Sequence, residues 1–214
     1  MVEDNLRRVL SELPPGVKLV AVSKFHPAVD IMAAYSAGHR VFGENRPQEF
    51  AANAEALPKD IEWHFIGHLQ TNKIKLVLPY ASLVESIDSL RLLEAVEKWG
   101  RENGKVVDVL LELHLGAEET KGGFTEEEIE GILSMRFSSV RFRGLMGMAT
   151  NTDDMAVVEA DFARIEAFKK RLDTGYDLPD FTELSIGMSH DWPLAVRHGA
   201  TIVRIGTAIF GSRV

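Results

Sequence analysis

The sequence predicts an α/β protein whose strands alternate with helices around a closed (β/α)8 barrel, laid out as one domain over residues 1–214. Three observations predict it. Short apolar runs alternate with stretches of helical period along the chain. Their count is eight strands and seven helices, with a short tail after the last strand. No Pro-, Ser- or Gly-rich linker divides the chain. An open doubly wound sheet needs fewer strands and a Gly-rich first turn. The first turn here reads Ser23-Lys24-Phe25-His26-Pro27, without glycine.

A leader helix is expected within residues 1–16, because Leu6, Val9, Leu10 and Leu13 recur at helical spacing and Pro14-Pro15-Gly16 ends it. Strands are then expected at 17–22, 41–43, 62–66, 83–85, 106–113, 142–146, 183–186 and 202–205. Helices fall between them at 28–37, 46–56, 70–78, 89–99, 126–135, 154–172 and 191–198. Thr125-Glu126-Glu127-Glu128 reads as a capping box opening the fifth of these helices. Gly38 and Gly100 sit where left-handed C-terminal turns are wanted.

With 24 Lys+Arg against 32 Asp+Glu, the net charge of −8 argues against a general nucleic-acid or anionic-membrane binder. No cysteine is present, so neither a disulfide framework nor a thiolate zinc site can form, which agrees with the cytosol. The first residues carry Glu3, Asp4 and Glu12 and no long apolar run, unlike a secretory signal or transit peptide. No stretch approaches the length of a membrane span. The expectation is a soluble cytoplasmic protein, acting as a monomer.

In a barrel of this kind, chemistry gathers at the C-terminal ends of the strands. The residues there are Lys24, Glu44-Asn45, Gly67-His68, Ser86, His114, Met148-Ala149-Thr150, Gly187-Met188-Ser189 and Gly206-Thr207. The usual phosphate site lies in the loops after strands seven and eight, here Gly187-Met188-Ser189 and Gly206-Thr207. A lysine amine at one strand end, the fixed cation Arg204 at another and a small-residue turn can together hold a phosphorylated aldehyde. Lysine forms the imine, the turn takes the phosphate, and arginine faces a ring nitrogen. That set points to pyridoxal phosphate.

Each part also has a plainer reading. A lysine at a strand end is most often a solvated charge on an apolar stem. Gly206-Thr207 can be a tight turn only, and Arg204 can be paired with a core carboxylate. His64 and His68 are four apart, but they lie in a strand rather than on one helix face, and no third metal ligand is spaced with them. Thr120-Lys121-Gly122-Gly123-Phe124 lacks Walker spacing and reads as a loop. Trp63, Trp99 and Trp192 read as packing residues.

Val20-Ala21-Val22-Ser23-Lys24, Phe42-Gly43-Glu44-Asn45, Trp63-His64-Phe65-Ile66-Gly67-His68-Leu69-Gln70, Lys121-Gly122-Gly123-Phe124 and the two C-terminal blocks resemble the pyridoxal phosphate homeostasis proteins. These are single-domain TIM barrels similar to the N-terminal domain of alanine racemase. The resemblance implies that Lys24 carries the cofactor as a Schiff base, with Asn45 beside it. It implies that Ser189, Gly206 and Thr207 hold the phosphate, that Met188 belongs to that loop, and that Arg204 faces the pyridine nitrogen. Pro47, Glu85, His114, Ile186 and the segment His190-Asp191-Trp192-Pro193 depart from the usual pattern at the rim.

The function so implied is a carrier of pyridoxal 5'-phosphate that serves its homeostasis and supply, with pyridoxal-phosphate-dependent apo-enzymes as partners and little or no catalysis. The alternative is a pyridoxal-phosphate-dependent amino-acid racemase, with Lys24 as one base. The racemases resembled take their second base from a tyrosine of another domain or chain, whereas Tyr35, Tyr80 and Tyr176 lie away from the strand ends. A Schiff-base aldolase would leave Arg204 without a task.

Overall fold

Eight parallel strands close into a ring at the centre of the computed structural model, which describes residues 1–116 and 122–211. They follow one another in chain order: β1 (Lys18–Val22), β2 (Val41–Glu44), β3 (Glu62–Phe65), β4 (Ala81–Ile87), β5 (Val107–Leu113), β6 (Val140–Gly147), β7 (Glu183–Ser185) and β8 (Ile202–Ile205). β8 returns to pair with β1, from Lys18 opposite Ile202 to Ala21 opposite Ile205. Closure leaves no strand edge to be capped. Helix α1 (Val2–Glu12) precedes the barrel. Outside it lie α2 (Ala28–Ser36), α3 (Pro47–Ala56), α4 (Ile74–Val77), α5 (Leu90–Asn103), α6 (Glu126–Leu133), α7 (Met155–Gly175), α8 (Trp192–Arg197) and α9 (Thr207–Phe210).

A strand in such a ring is buried on both faces, which is why its sequence runs apolar instead of alternating. Along β1, Leu19 and Ala21 join the large layer between sheet and helices, while Val20 and Val22 join a small inner cluster with Leu83, Leu110, Met146 and Ile202. The outer layer is knit by aromatic rings: Phe50 meets Trp63 and Phe65 edge-on at 6.0 and 5.6 Å. The inner cluster carries the register that aims residues at the barrel mouth.

Leu6 and Val9 bury the inner face of α1, while Leu10 is 43% exposed, so the apolar stripe is narrower than its spacing predicts. The helix is fastened to the far end of the chain. Asn5 Nδ2–H donates to the Ile209 carbonyl at 3.0 Å and Arg8 to that of Ala208 at 3.4 Å. Among the described residues no helix is long and apolar enough to cross a membrane.

Several boundaries move. β4 runs from Ala81 to Ile87, beyond the expected 83–85, because Glu85 and Ser86 are inside the barrel instead of ending the strand. β6 is longer at both ends than 142–146. The stretch 70–78 divides into a 3-10 turn, Thr71–Lys73, and the single turn of α4. Gly100 does not end its helix: α5 continues to Asn103, and the left-handed cap is Gly104 at φ 61°. Gly100 is small for another reason, since a Cβ there would lie 2.6 Å from the Lys105 carbonyl oxygen. Gly38, at φ 100°, takes the turn expected of it. The capping box at Thr125 forms in both directions. Thr120 and Lys121 lie outside the described residues.

Candidate functional site

Register alone gathers most of the expected residues. Val20 and Val22 point inward, and Lys24 continues that phase two residues past the end of β1. Val41 lies against the inner cluster, and Asn45 continues its phase through Gly43. Ile202 is inner, so Arg204 and then Gly206 follow it. Lys24, Asn45, Arg204 and Gly206 therefore share one register at the same mouth of the barrel.

The turn that carries Lys24 is tightly held. Ser23 N–H extends the sheet by donating to the Gly43 carbonyl at 3.0 Å, and His26 N–H donates back to Ser23 at 3.0 Å. Phe25, directly after the lysine, takes a left-handed φ of 68°, a conformation that side chains larger than glycine seldom adopt. Such strain costs about 1–3 kcal/mol and persists only where neighbours impose it. Here the Arg46 guanidinium lies 4.3 Å from the Phe25 ring, and His26 stacks on Phe210 of α9 at 5.1 Å.

The two expected phosphate loops meet. Gly206 N–H donates to Ser189 Oγ at 3.3 Å, joining the loop after β7 to the turn after β8. Gly206 also abuts β1, since a Cβ there would lie 3.1 Å from the Val22 carbonyl oxygen. Met188 contributes backbone: its N–H donates to Asp191 Oδ1 at 2.5 Å, while its side chain is 40% exposed. Thr207 is exposed at the first position of α9, where helix N–H groups have no intrahelical acceptor. Asn45 is braced from behind by Gly67, whose Cβ would fall 2.2 Å from the Asn45 carbonyl oxygen. Its Oδ1 is buried and accepts no hydrogen bond among the described residues.

Arg204 is buried in β8 and paired with a core carboxylate, as its plainer reading has it. Nη1–H donates to Ser185 Oγ at 2.5 Å and to the Ser185 carbonyl at 2.8 Å, and Nη2–H donates to the Gly147 carbonyl at 3.0 Å. Its Nη1 also lies 3.6 Å from Glu85 Oε2. Three of the five guanidinium donors are thus committed to protein among the described residues. Ser185 Oγ–H passes its own bond to Glu85 Oε2 at 2.6 Å, and His64 Nδ1 stands 2.6 Å from Glu85 Oε1. Burial pushes the Glu85 carboxyl up, but the hydrogen bond and charge of His64, with Arg204 and Ser185, hold it below the ordinary carboxylate value. This chain of four residues was missed in the sequence, although Glu85 shares the inward phase of Leu83.

Glu44 was placed at the mouth but turns the other way, under α3. Its Oε1 accepts from Ser23 Oγ at 2.6 Å and from Asn53 Nδ2 at 3.2 Å, and Oε2 has no partner among the described residues. Burial pushes its pKa up to about 7, against the hydrogen bond from Ser23 and the more distant charge of Lys24. A carboxyl raised in the folded state stabilises below its unfolded value of 4.5 and loses that contribution as pH rises through about 7. Glu44→Gln should therefore remove about 2–3 kcal/mol of the stability lost between pH 5 and 8. Urea unfolding at the two pH values measures it, and equal slopes for variant and wild type would contradict a neutral Glu44.

Other expected positions have structural tasks. Ser86 Oγ–H donates to the Gly67 carbonyl at 2.5 Å from within β4. His114 Nδ1 lies 3.4 Å from the Gly122 carbonyl oxygen. His64 is buried in β3, and His68 stands in the loop above it with Nδ1 2.6 Å from Asp88 Oδ2. No group of three possible metal ligands comes together among the described residues. The remaining half of the mouth is open: Ile66, Gly67, His68, Asp88, Glu112, Gly122 and Met148 wall a cavity of about 420 Å³.

The donor set fits pyridoxal phosphate. A lysine amine suits its aldehyde, a serine hydroxyl with turn N–H groups suits its phosphate, and uncommitted arginine donors suit an unprotonated ring nitrogen. The orphaned Oδ1 of Asn45 is a further acceptor at that place.

Comparison with known proteins gives a consistent picture. Residues 1–214 match the family model described as the alanine racemase N-terminal domain. A pyridoxal phosphate homeostasis protein of Aquifex aeolicus is 40% identical over 199 residues, covering 92% of this chain and 87% of that one. PipY of Synechococcus elongatus, solved without PLP, superposes with a TM-score of 0.94 at 38% identity, over 99% of this chain and 100% of that one. The structure of the same protein with PLP bound gives 0.88 at 37% identity, with equal coverage.

Proposed function

Because this chain belongs to the alanine racemase N-terminal domain family, and within it to the pyridoxal phosphate homeostasis proteins, we propose that it binds pyridoxal 5'-phosphate reversibly and serves its supply. The observation that carries this reading is the shared inward register of Lys24, Asn45, Arg204 and Gly206, beside the PLP-bound form of a 37% identical neighbour. In this reading the carrier works in the cytoplasm as a monomer and hands its cargo to apo-enzymes.

Lys24 is the covalent anchor in this reading, Ser189, Gly206 and Thr207 take the phosphate with Met188 framing the loop, and Asn45 flanks the ring. Bound, the cofactor supplies an aldehyde that bonds reversibly to an amine and a ring that can accept electrons. Arg204 governs the second property. Guanidinium donates and does not give up its proton at working pH, so a ring nitrogen facing it stays unprotonated and draws electrons weakly. Glu85, Ser185 and Gly147 hold Arg204 in place for this. The tyrosines lie away from the mouth, Tyr176 packed with Tyr35 and Tyr80 against the outer layer. Tyr35 Oη–H donates to Asp60 at 2.8 Å and Tyr80 Oη–H to Glu55 at 2.5 Å, both in the outer layer. These features support binding with little or no turnover.

Absorption titration tests this. Pyridoxal lacking its phosphate should bind at least about 100-fold more weakly, since two or three charge-assisted hydrogen bonds of about 1.5–3 kcal/mol each are lost. Equal affinity for the two would sink the role given to Ser189, Gly206 and Thr207. Rapid α-proton exchange by amino acids on the loaded protein would favour the racemase instead.

A further inference from the structure

The cavity on the β3–β6 side of the mouth has its own chemistry. Glu112 follows Leu110 in the inward register of β5 and forms part of the cavity wall. It is only 7% exposed, yet its carboxyl makes no hydrogen bond or ion pair among the described residues. Asp88, 7% exposed at its side chain, brings a second carboxylate to the same wall, held by His68 at 2.6 Å. Ile66 and Met148 add to the wall an apolar surface continuous with the inner cluster. Two carboxyls facing one water-sized or larger space, one of them without a donor among the described residues, are the complement of a compact cation with several N–H groups.

We propose that this cavity is a binding site for a primary ammonium group carried on a short apolar stem, the ammonium between Glu112 and Asp88 and the stem against Ile66 and Met148. It goes beyond the cofactor reading, because the walls belong to β3–β6 and their loops while Lys24, Ser189 and Gly206 belong to β1, β7 and β8. No metal suits the place as well, since no third ligand joins the pair among the described residues. The volume of about 420 Å³ admits a small amine with its water.

The groups facing Glu112 fix the expected pH dependence. Burial and the Asp88 charge push its pKa up to about 7, while Arg204 on β8, His68 after β3 and His114 after β5 pull it down. An ammonium needs the charged carboxylate, so affinity should rise from pH 6 to pH 8. The probe is propylammonium, with 1-propanol as its uncharged counterpart, followed by NMR on cofactor-free protein. Propylammonium should shift signals of Gly67, Gly122 and Met148 and bind up to about tenfold more tightly at pH 8 than at pH 6, with propanol inert. Glu112→Gln and, separately, Asp88→Asn should each weaken binding about tenfold and leave pyridoxal phosphate affinity, read by absorption, within about twofold. Equal binding of propanol, no pH dependence, or full binding by both variants would overturn the site. Loss of pyridoxal phosphate binding by wild type would instead overturn the carrier reading and leave the amine site standing.

Discussion

Lys24→Ala protein treated with pyridoxal phosphate and borohydride should carry no fixed cofactor, where wild type carries one per chain. Lys24 is half-buried past the end of β1, so its loss removes no ladder hydrogen bond. The turn around it is kept by Ser23, Phe25 and His26 through their own contacts, and the variant should unfold at nearly the wild-type temperature. Retained stability with lost attachment separates a chemical role from a packing one. Peptide mapping of the reduced wild type is the second half of the test. Reduced cofactor on Lys73, in the 3-10 turn after β3, or on Lys121 would refute the assignment.

The largest effect on stability is expected at Glu85. Glu85→Ala strands the Arg204 guanidinium and His64 inside the barrel, because Arg204 keeps a buried charge whose ion-pair carboxylate among the described residues is removed. Breaking one member of a buried ionic group costs about 3–5 kcal/mol. In a chain of this size that lowers the melting temperature by roughly 6–20 °C. Arg204→Met in the same background should recover part of the loss, because the stranded charge is gone. The pH dependence has a fixed sign. The Glu85 carboxyl lies below its ordinary 4.5 when folded, so its contribution is present above that value and fades as pH falls further. Full additivity of the two substitutions would show that the residues are not coupled.

What the sequence disclosed and what it hid divide along a physical line. Lys24, Gly206 and Thr207 were legible because they end apolar runs, and a barrel puts all such ends on one rim. Arg204 was legible as a buried cation in want of a carboxylate, but not which one. Its partner Glu85 is far from it along the chain, on β4, and only barrel closure brings the two within 3.6 Å, while Ser185 comes from the neighbouring β7. Glu85 and Ser86 therefore read as the end of a strand that in fact runs to Ile87. Glu112 passed unread inside a strand for the same reason. An acidic residue among Leu110, Leu111 and Leu113 announces burial, but not the empty space it faces. Glu44 sits at the right strand end with the wrong phase, one residue from the inward Asn45, and a period of two decides which of them faces the mouth.

Pairing of β1 with β8, with α1 fastened to α9, also imposes an order in time. The ribosome makes Lys24 some 180 residues before Gly206, an interval of about 10–40 s at ordinary elongation rates. Through that interval a nascent lysine has neither the Gly206 turn nor Arg204, the groups proposed to take the phosphate and face the ring. Aldehyde reaching it then meets an ordinary amine and leaves again. On the proposed reading, selective loading begins only when the last strand emerges and the first is sealed against it, so a growing chain draws no cofactor from the pool that the finished one serves.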